Sequence, residues 1–172
     1  TDQPIIVACQ NFKGGVGKST TCVSLAHYLA LKGYRVLVVD TDSQATTTSM
    51  FGYVPDAEID EDATILPYLA GYQKTLHYAV QFFLELKYGL QTVAENYDVI
   101  LLDSPPALGM ISINVLMAAD ALLVPSAARM FDFSSTVQFF RMVHNYIGKI
   151  DPTKQYRWIS VLTTLFDQRY ES

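Results

Sequence analysis

Eight residues, Lys13-Gly14-Gly15-Val16-Gly17-Lys18-Ser19-Thr20, constrain this chain more than any other stretch. The apolar run Ile5-Ile6-Val7-Ala8-Cys9 leads into them, and a helical pattern from Ser19 to Leu31 leads out. Strand, glycine turn, Lys-Ser and helix in that order form the arrangement of a phosphate-binding loop. Glycines let successive backbone N–H groups converge on an anion without a Cβ in the way. The new helix adds its positive end and its unpaired N–H groups. Lys18 then brings a cation to the β- and γ-phosphates, and the Ser19 hydroxyl serves Mg²⁺. The plainer alternative is a glycine turn between strand and helix with two solvated lysines.

Length and composition set the frame. At 172 residues, half of them apolar and 17% charged, the chain has the make-up of one globular domain with a real core. A net charge of −5 argues against a surface coated in basic residues for nucleic acid. From Arg129 onward six Lys/Arg stand against four acids, a local excess of two that allows a basic patch. Cys9 and Cys22 have neither a disulfide framework nor metal-ligand spacing, and both fall on apolar faces, so we expect them in the core of a reduced, cytoplasmic protein. No signal peptide or membrane-spanning run is visible. The chain begins with Thr, and we expect a fragment of something longer.

Along the chain, Pro4 to Gln10 reads as a buried strand. Cys22, Leu25, Ala26 and Leu29 put one apolar stripe on the following helix, which Gly33 closes. Val36 to Asp40 is a second apolar strand, and this βαβ unit predicts a parallel sheet. Asp40 and Asp42 lie beyond or at its C-terminal end, the ligand side of such a sheet. In an extended chain both carboxylates point the same way, towards the phosphates held by Lys18. An N-cap for a helix starting near Ser43 is the alternative use of one of them. Thr46 to Phe51 predicts a short helix closed by Gly52, followed by an acidic loop at 56–62 and a short helix from Ile65 to Leu69. Phe83 to Tyr97 predicts a helix with Leu86, Leu90 and Val93 on one face. Asp98 to Asp103 predicts a strand ending in a carboxylate suited to Mg²⁺ and its waters. Ser104-Pro105-Pro106 stiffens the exit, or is simply a rigid turn. Ile111 to Ala118 predicts a helix and Asp120 to Pro125 a strand ended by its proline. A helix capped by Ser134 or Ser135 runs through Tyr146, with Val137, Phe140, Arg141 and His144 in register, until Gly148. Arg157 to Thr164 is the last strand. The histidines share no motif, and the aromatic residues form no repeat of the kind that stacks single strands.

The octet departs from G-x-x-x-x-G-K-[ST]: Phe12 stands where the first glycine belongs, and an extra lysine, Lys13, opens the loop. KGGVGKST resembles the deviant Walker A loop of the ParA/MinD family of ATPases. Asp40-Thr41-Asp42-Ser43-Gln44 resembles the family's D-x-D-P-Q segment, with Ser43 in place of proline. Asp103-Ser104-Pro105-Pro106, with Gly109, resembles its D-C-P-P-x-L-G switch, where the γ-phosphate is sensed. The chain is most similar to plasmid partition ATPases of the ParA type, or the RepA type of repABC operons.

The resemblance implies an α/β, three-layer P-loop NTPase fold, a mostly parallel twisted sheet with helices on both faces. It implies a single ATPase domain over 1–172, lacking an N-terminal DNA-binding region and the C-terminal helices. Its cofactors are ATP and Mg²⁺. Lys13, Gly14, Gly15, Val16, Gly17, Lys18, Ser19 and Thr20 hold the phosphates, with Thr164 near the base. Ser19, Asp40 and Asp103 serve the metal. Asp42 positions or activates the attacking water, Lys18 is catalytic, and Lys13 reaches the nucleotide of a partner in an ATP-dependent homodimer. A ParB-like adaptor, non-specific DNA contacted through regions largely outside this chain, no membrane, and a bacterial, nucleoid-associated location complete the picture. Against the family, the interval before Asp103 is short by some tens of residues. We expect the chain to join segments across missing residues between Leu76 and Phe83. Rivals sharing the loop are a MinD-like or cargo-positioning ATPase, a biosynthetic ATPase acting on a small molecule, and a nucleotide switch with hardly any turnover. A nitrogenase-type iron protein needs cluster cysteines that are absent after Asp103.

Overall fold

The structure is a computed structural model that describes residues 3–54, 83–128 and 130–165. The acidic run at 56–62, the helix at 65–69 and the expected junction before Phe83 lie outside the described residues. Five parallel strands form one sheet in the order β2-β3-β1-β4-β5. They are β1 (Ile5–Cys9), β2 (Val36–Asp40), β3 (Val99–Asp103), β4 (Ala121–Ala127) and β5 (Trp158–Thr164). Among the described residues the α-helices are α1 (Lys18–Leu31), α2 (Thr46–Met50), α3 (Glu85–Gln91), α4 (Met110–Ala118) and α5 (Met130–Ile150).

The topology decides which helix lies on which face. From β1 the chain crosses β3 to reach β2, and from β3 it crosses β1 in the other direction to reach β4. Right-handed crossovers of opposite sense put α1 and α4 on opposite faces. Strand alternation supplies each face with its core. Val7, Cys9, Val99, Leu101 and Ala121 pack with Cys22 and Ala26 of α1, Leu25 and Leu29 flanking. Ala8, Ile100, Leu102, Leu122 and Val124 pack with Leu90, Val115, Leu116, Phe139, Val143 and Ile147 on the other side. Removing the Ile100, Leu102 and Leu122 side chains from water stabilises by about 1.5–3 kcal/mol each. This is the expected three-layer architecture, and both cysteines are in its core.

Several local expectations need correction. β2 is only half-buried, since among the described strands it lies at the sheet edge. The short helix expected over Thr46 to Phe51 is present as α2, so the start near Ser43 in the capping alternative is too early; Ala45 before it is left-handed (φ 49°). The helix expected over 83–97 is broken. The Thr92 hydroxyl turns back onto the Gly89 carbonyl, Val93 N–H takes the Leu90 carbonyl, and a 3-10 turn follows over Ala94–Asn96. Pro125 does not end β4, which pairs with β5 as far as Ala127. Leu123 bonds towards β1, so Pro125, two residues on, faces the same side beyond the end of β1. No ladder N–H is needed there, and its carbonyl accepts from Asn11 Nδ2 at 2.8 Å. Helix α5 starts before Ser134 and runs past Gly148. Its buried positions are Thr136, Phe139, Val143 and Ile147, while Arg141 and His144 face water. Among the described residues, no helix is long and apolar enough to cross a membrane.

Candidate functional site

The C-terminal ends of β1, β2 and β3 bring the site together. Asp40 and Asp103 are register partners, and Cys9 pairs with Asp103 on its other side. Alternation puts Asp40 on the face of Val36 and Val38, and Asp103 on the face of Val99 and Leu101, so both carboxylates lie on the α1 side of the sheet. The loop between β1 and α1 arches over that end.

Its start is pinned. Asn11 is buried, its Nδ2 on Pro125 and its Oδ1 accepting the Lys13 N–H at 3.1 Å. Phe12, in the place of the missing glycine, packs edge-on against Phe139 with centroids 4.9 Å apart. The substitution thus anchors the loop in the core. Gly15 (φ 71°) and Gly17 (φ 86°) take left-handed conformations that side chains rarely adopt. The N–H groups of Gly14 to Thr20 donate to no backbone carbonyl among the described residues, and Gly17 provides no side-chain cap. A run of unpaired donors at a helix start is an anion cradle. Lys18, the first residue of α1, is buried, and its Nζ donates to the Lys13 carbonyl at 3.1 Å. Burial pushes its pKa down, while the charges of Asp103 and Asp42 pull it up.

Asp103 is fully buried. Its Oδ2 accepts the Thr47 hydroxyl at 2.6 Å, and its backbone carbonyl accepts the Thr41 N–H and hydroxyl. Burial raises its pKa above the ordinary carboxylate range, partly offset by the Thr47 and Ser19 hydroxyls. Oδ1 has no hydrogen-bond partner among the described residues. An orphaned carboxylate oxygen beside Ser19 and in register with Asp40 fits Mg²⁺ held through its waters. That ion takes one or two carboxylates and the substrate phosphates rather than a dense protein cage, and no dense His/Cys/Asp/Glu cluster occurs among the described residues.

Asp40 and Asp42 reach the site differently from the extended geometry expected. β2 ends at Asp40, and the chain folds back so that Asp42 N–H donates to Asp40 Oδ1 at 3.2 Å. Asp40 Oδ2 accepts both the N–H and the hydroxyl of Thr48, capping the first turn of α2. The capping alternative therefore describes Asp40, which holds the segment in shape. Asp42 Oδ1 accepts only the Gln44 N–H at 3.1 Å among the contacts found, and its charge acts on Lys18. Ser104, directly after β3, donates to the Cys9 carbonyl at 2.8 Å and ties β3 to β1. Thr164, at the end of β5, reaches the loop. Its hydroxyl donates to the Val16 carbonyl at 2.7 Å, inside the loop.

Sequence reasoning missed Thr47, Thr48 and Asn11. The run Thr46-Thr47-Thr48 directly after two aspartates was a usable signal, since hydroxyls in a first helical turn reach carboxylates. Gln10 was missed too. It is fully buried, with both side-chain amide atoms lacking a partner among the described residues.

Comparison with known proteins follows the geometry. The family model described as the CobQ/CobB/MinD/ParA nucleotide binding domain matches residues 7–172. Protein SopA of Escherichia coli (strain K12) is 35% identical over 184 residues, covering 86% of this chain and 47% of SopA. A putative replication protein A of Rhizobium rhizogenes is 30% identical over 207 residues, covering 96% of this chain and 51% of that protein. The chain thus spans about half the length of these relatives. Cobyrinic acid a,c-diamide synthase of Mycobacterium smegmatis, solved with bound ADP and magnesium, superposes with a TM-score of 0.78 at 28% identity, covering 96% of this chain and 76% of that one.

Proposed function

We infer the activity from one premise: this chain belongs to the CobQ/CobB/MinD/ParA nucleotide binding domain family. The reading is a P-loop ATPase of the plasmid or chromosome partition type, binding and slowly hydrolysing Mg-ATP. One observation carries it. Lys18, Ser19, Asp103 and Asp42 converge from three separate segments on a single uncapped helix start.

In that reading the unpaired N–H groups of the loop bind the β- and γ-phosphates, and Lys18 neutralises charge as it moves to the leaving oxygen. Magnesium, when bound, draws charge from the phosphate oxygens. Ser19 is its side-chain ligand, Asp103 holds its waters, and Asp40 shapes the segment that carries Asp42. Asp42 orients the attacking water. Phosphoryl transfer needs little more than this positioning. Lys13 completes the site of a second copy in an ATP-dependent homodimer. A ParB-like adaptor and DNA stimulate turnover, and the protein works on the nucleoid in the bacterial cytoplasm. The sequence relatives favour this reading over small-molecule biosynthesis, the alternative that the synthase structure represents.

ATP turnover tests it. Turnover should be slow alone and rise with DNA and adaptor together. Asp42→Ala should bind Mg-ATP as the parent does and lose hydrolysis. Turnover dependent on a small carboxylic acid substrate would favour the biosynthetic alternative, and full hydrolysis by Asp42→Ala would remove that residue from its role.

A further inference from the structure

The loop is held from a distance. β5 pairs with β4 along its length until Thr164 meets Ala127, and Ala128 N–H closes the ladder on the Thr164 carbonyl at 3.0 Å. Through its hydroxyl Thr164 donates to the Val16 carbonyl at 2.7 Å. Its methyl lies on the side of Gly17 where a Cβ would stand, 3.7 Å from that position. The next residue, Leu165, turns the chain away with φ 53°.

The peptide linking Val16 to Gly17 is trans, as is every described peptide. In a planar trans peptide the C=O and N–H point in opposite directions. Fixing the Val16 carbonyl on Thr164 therefore aims the Gly17 N–H the other way, away from β5. That peptide plane turns about Val16 ψ and Gly17 φ, and glycine's φ changes at little cost, so Gly17 itself does not hold it. Thr164 does, and its β-branch restricts its own χ1.

Resting on the nucleotide-binding reading above, we propose that Thr164 is a positioning residue. Its hydroxyl locks the Val16–Gly17 peptide so that the Gly17 N–H is preset towards the phosphates. Thr164 acts through the loop backbone and touches no reacting atom. Without the hydroxyl the peptide samples the flipped orientation, in which a carbonyl oxygen faces the phosphates and repels them.

The test compares Thr164→Ser with Thr164→Ala. Both remove the methyl and differ only in the hydroxyl, so packing loss is common to the two. Affinity for Mg-ADP is measured by calorimetry, and the Gly17 amide is followed by two-dimensional NMR with and without ADP. Thr164→Ser should stay within about twofold of the parent, and Thr164→Ala should bind roughly tenfold more weakly. The Gly17 amide should show the downfield shift of a phosphate-bound donor in the parent and in Thr164→Ser, and a reduced shift in Thr164→Ala. ATP turnover should show the same split, with KM rising more than kcat falls. Equal affinities and equal Gly17 shifts in the two variants would overturn the proposal and leave the nucleotide reading standing. A parent that binds no Mg-ADP would overturn both. If both variants weaken binding equally, the methyl contact alone accounts for Thr164, and the peptide-locking role is excluded.

Discussion

At the scale of single residues, the site works against its own stability. Asp103 is a fully buried carboxylate with one oxygen lacking a partner among the described residues. Burial raises its pKa in the folded state above the usual value. The sign follows from linkage: a group that holds its proton more tightly when folded costs stability wherever it is ionised. That cost is present above the raised native pKa and disappears as pH falls through it. Asp103→Asn should therefore make the nucleotide-free protein more stable than the parent at neutral pH, and abolish Mg²⁺-dependent hydrolysis. The gain should shrink as pH falls through the raised pKa, which urea denaturation over a pH series without Mg²⁺ would check. Lys18 is the complementary case, an ammonium whose pKa burial depresses. A bound phosphate relieves the same strain on both sides, since it pairs Lys18 and brings the cation that Asp103 needs.

At the scale of elements, helix α4 is held at its C-terminal end. Lys154 Nζ donates to the carbonyls of Met117 (2.9 Å) and Ala119 (2.6 Å), and the Tyr156 hydroxyl donates to Leu116 (3.0 Å). These close the last turn of α4, where a cation also complements the helix dipole. Burial lowers the Lys154 pKa, so desolvation offsets part of that gain. Lys154→Met should cost about 1 kcal/mol in urea denaturation, with Lys154→Arg losing less. The start of α4 is tied by nearer partners: Gly109 provides no side-chain cap, the Ser112 hydroxyl donates to the Ala107 carbonyl, and Asn114 Nδ2 donates to the Met110 carbonyl at 3.1 Å. In α2 the short first turn depends on the Asp40 carboxylate rather than on a cap of its own.

At the scale of the whole molecule, the reading rests on two copies acting together. Lys13 is half-buried in the loop, and the part of it that holds Lys18 is its main-chain carbonyl, which any substitution keeps. Lys13→Ala should therefore keep that carbonyl contact and fail to dimerise with ATP. Size-exclusion chromatography with light scattering, with and without Mg-ATP, decides it; an ATP-dependent dimer of Lys13→Ala would return this lysine to an ordinary solvated role. Asymmetry of the sheet bears on the same scale. β3 and β1 are covered on both faces, while β5 exposes Trp158, Ile159, Val161 and Leu162.

By itself the sequence determined the parallel α/β class, the phosphate loop, and Lys18, Ser19, Asp40, Asp42 and Asp103 as the site candidates. Each is announced by neighbours a few residues away: a strand's apolar run ending in a carboxylate, or glycines before Lys-Ser. It also carried the family, since those signals recur in a fixed order. Only the tertiary structure decided how the site is held. Thr47 meets Asp103 across 56 residues, Asn11 meets Pro125 across 114, and Thr164 meets Val16 across 148. A hydroxyl or an amide looks the same in sequence whether it faces water or a buried carbonyl. It also settled Pro125, whose missing N–H matters only if a neighbouring strand is there to receive it. Local periodicity reads the backbone that a residue sits in, whereas the partner of a polar side chain is fixed by which distant strand the fold lays beside it.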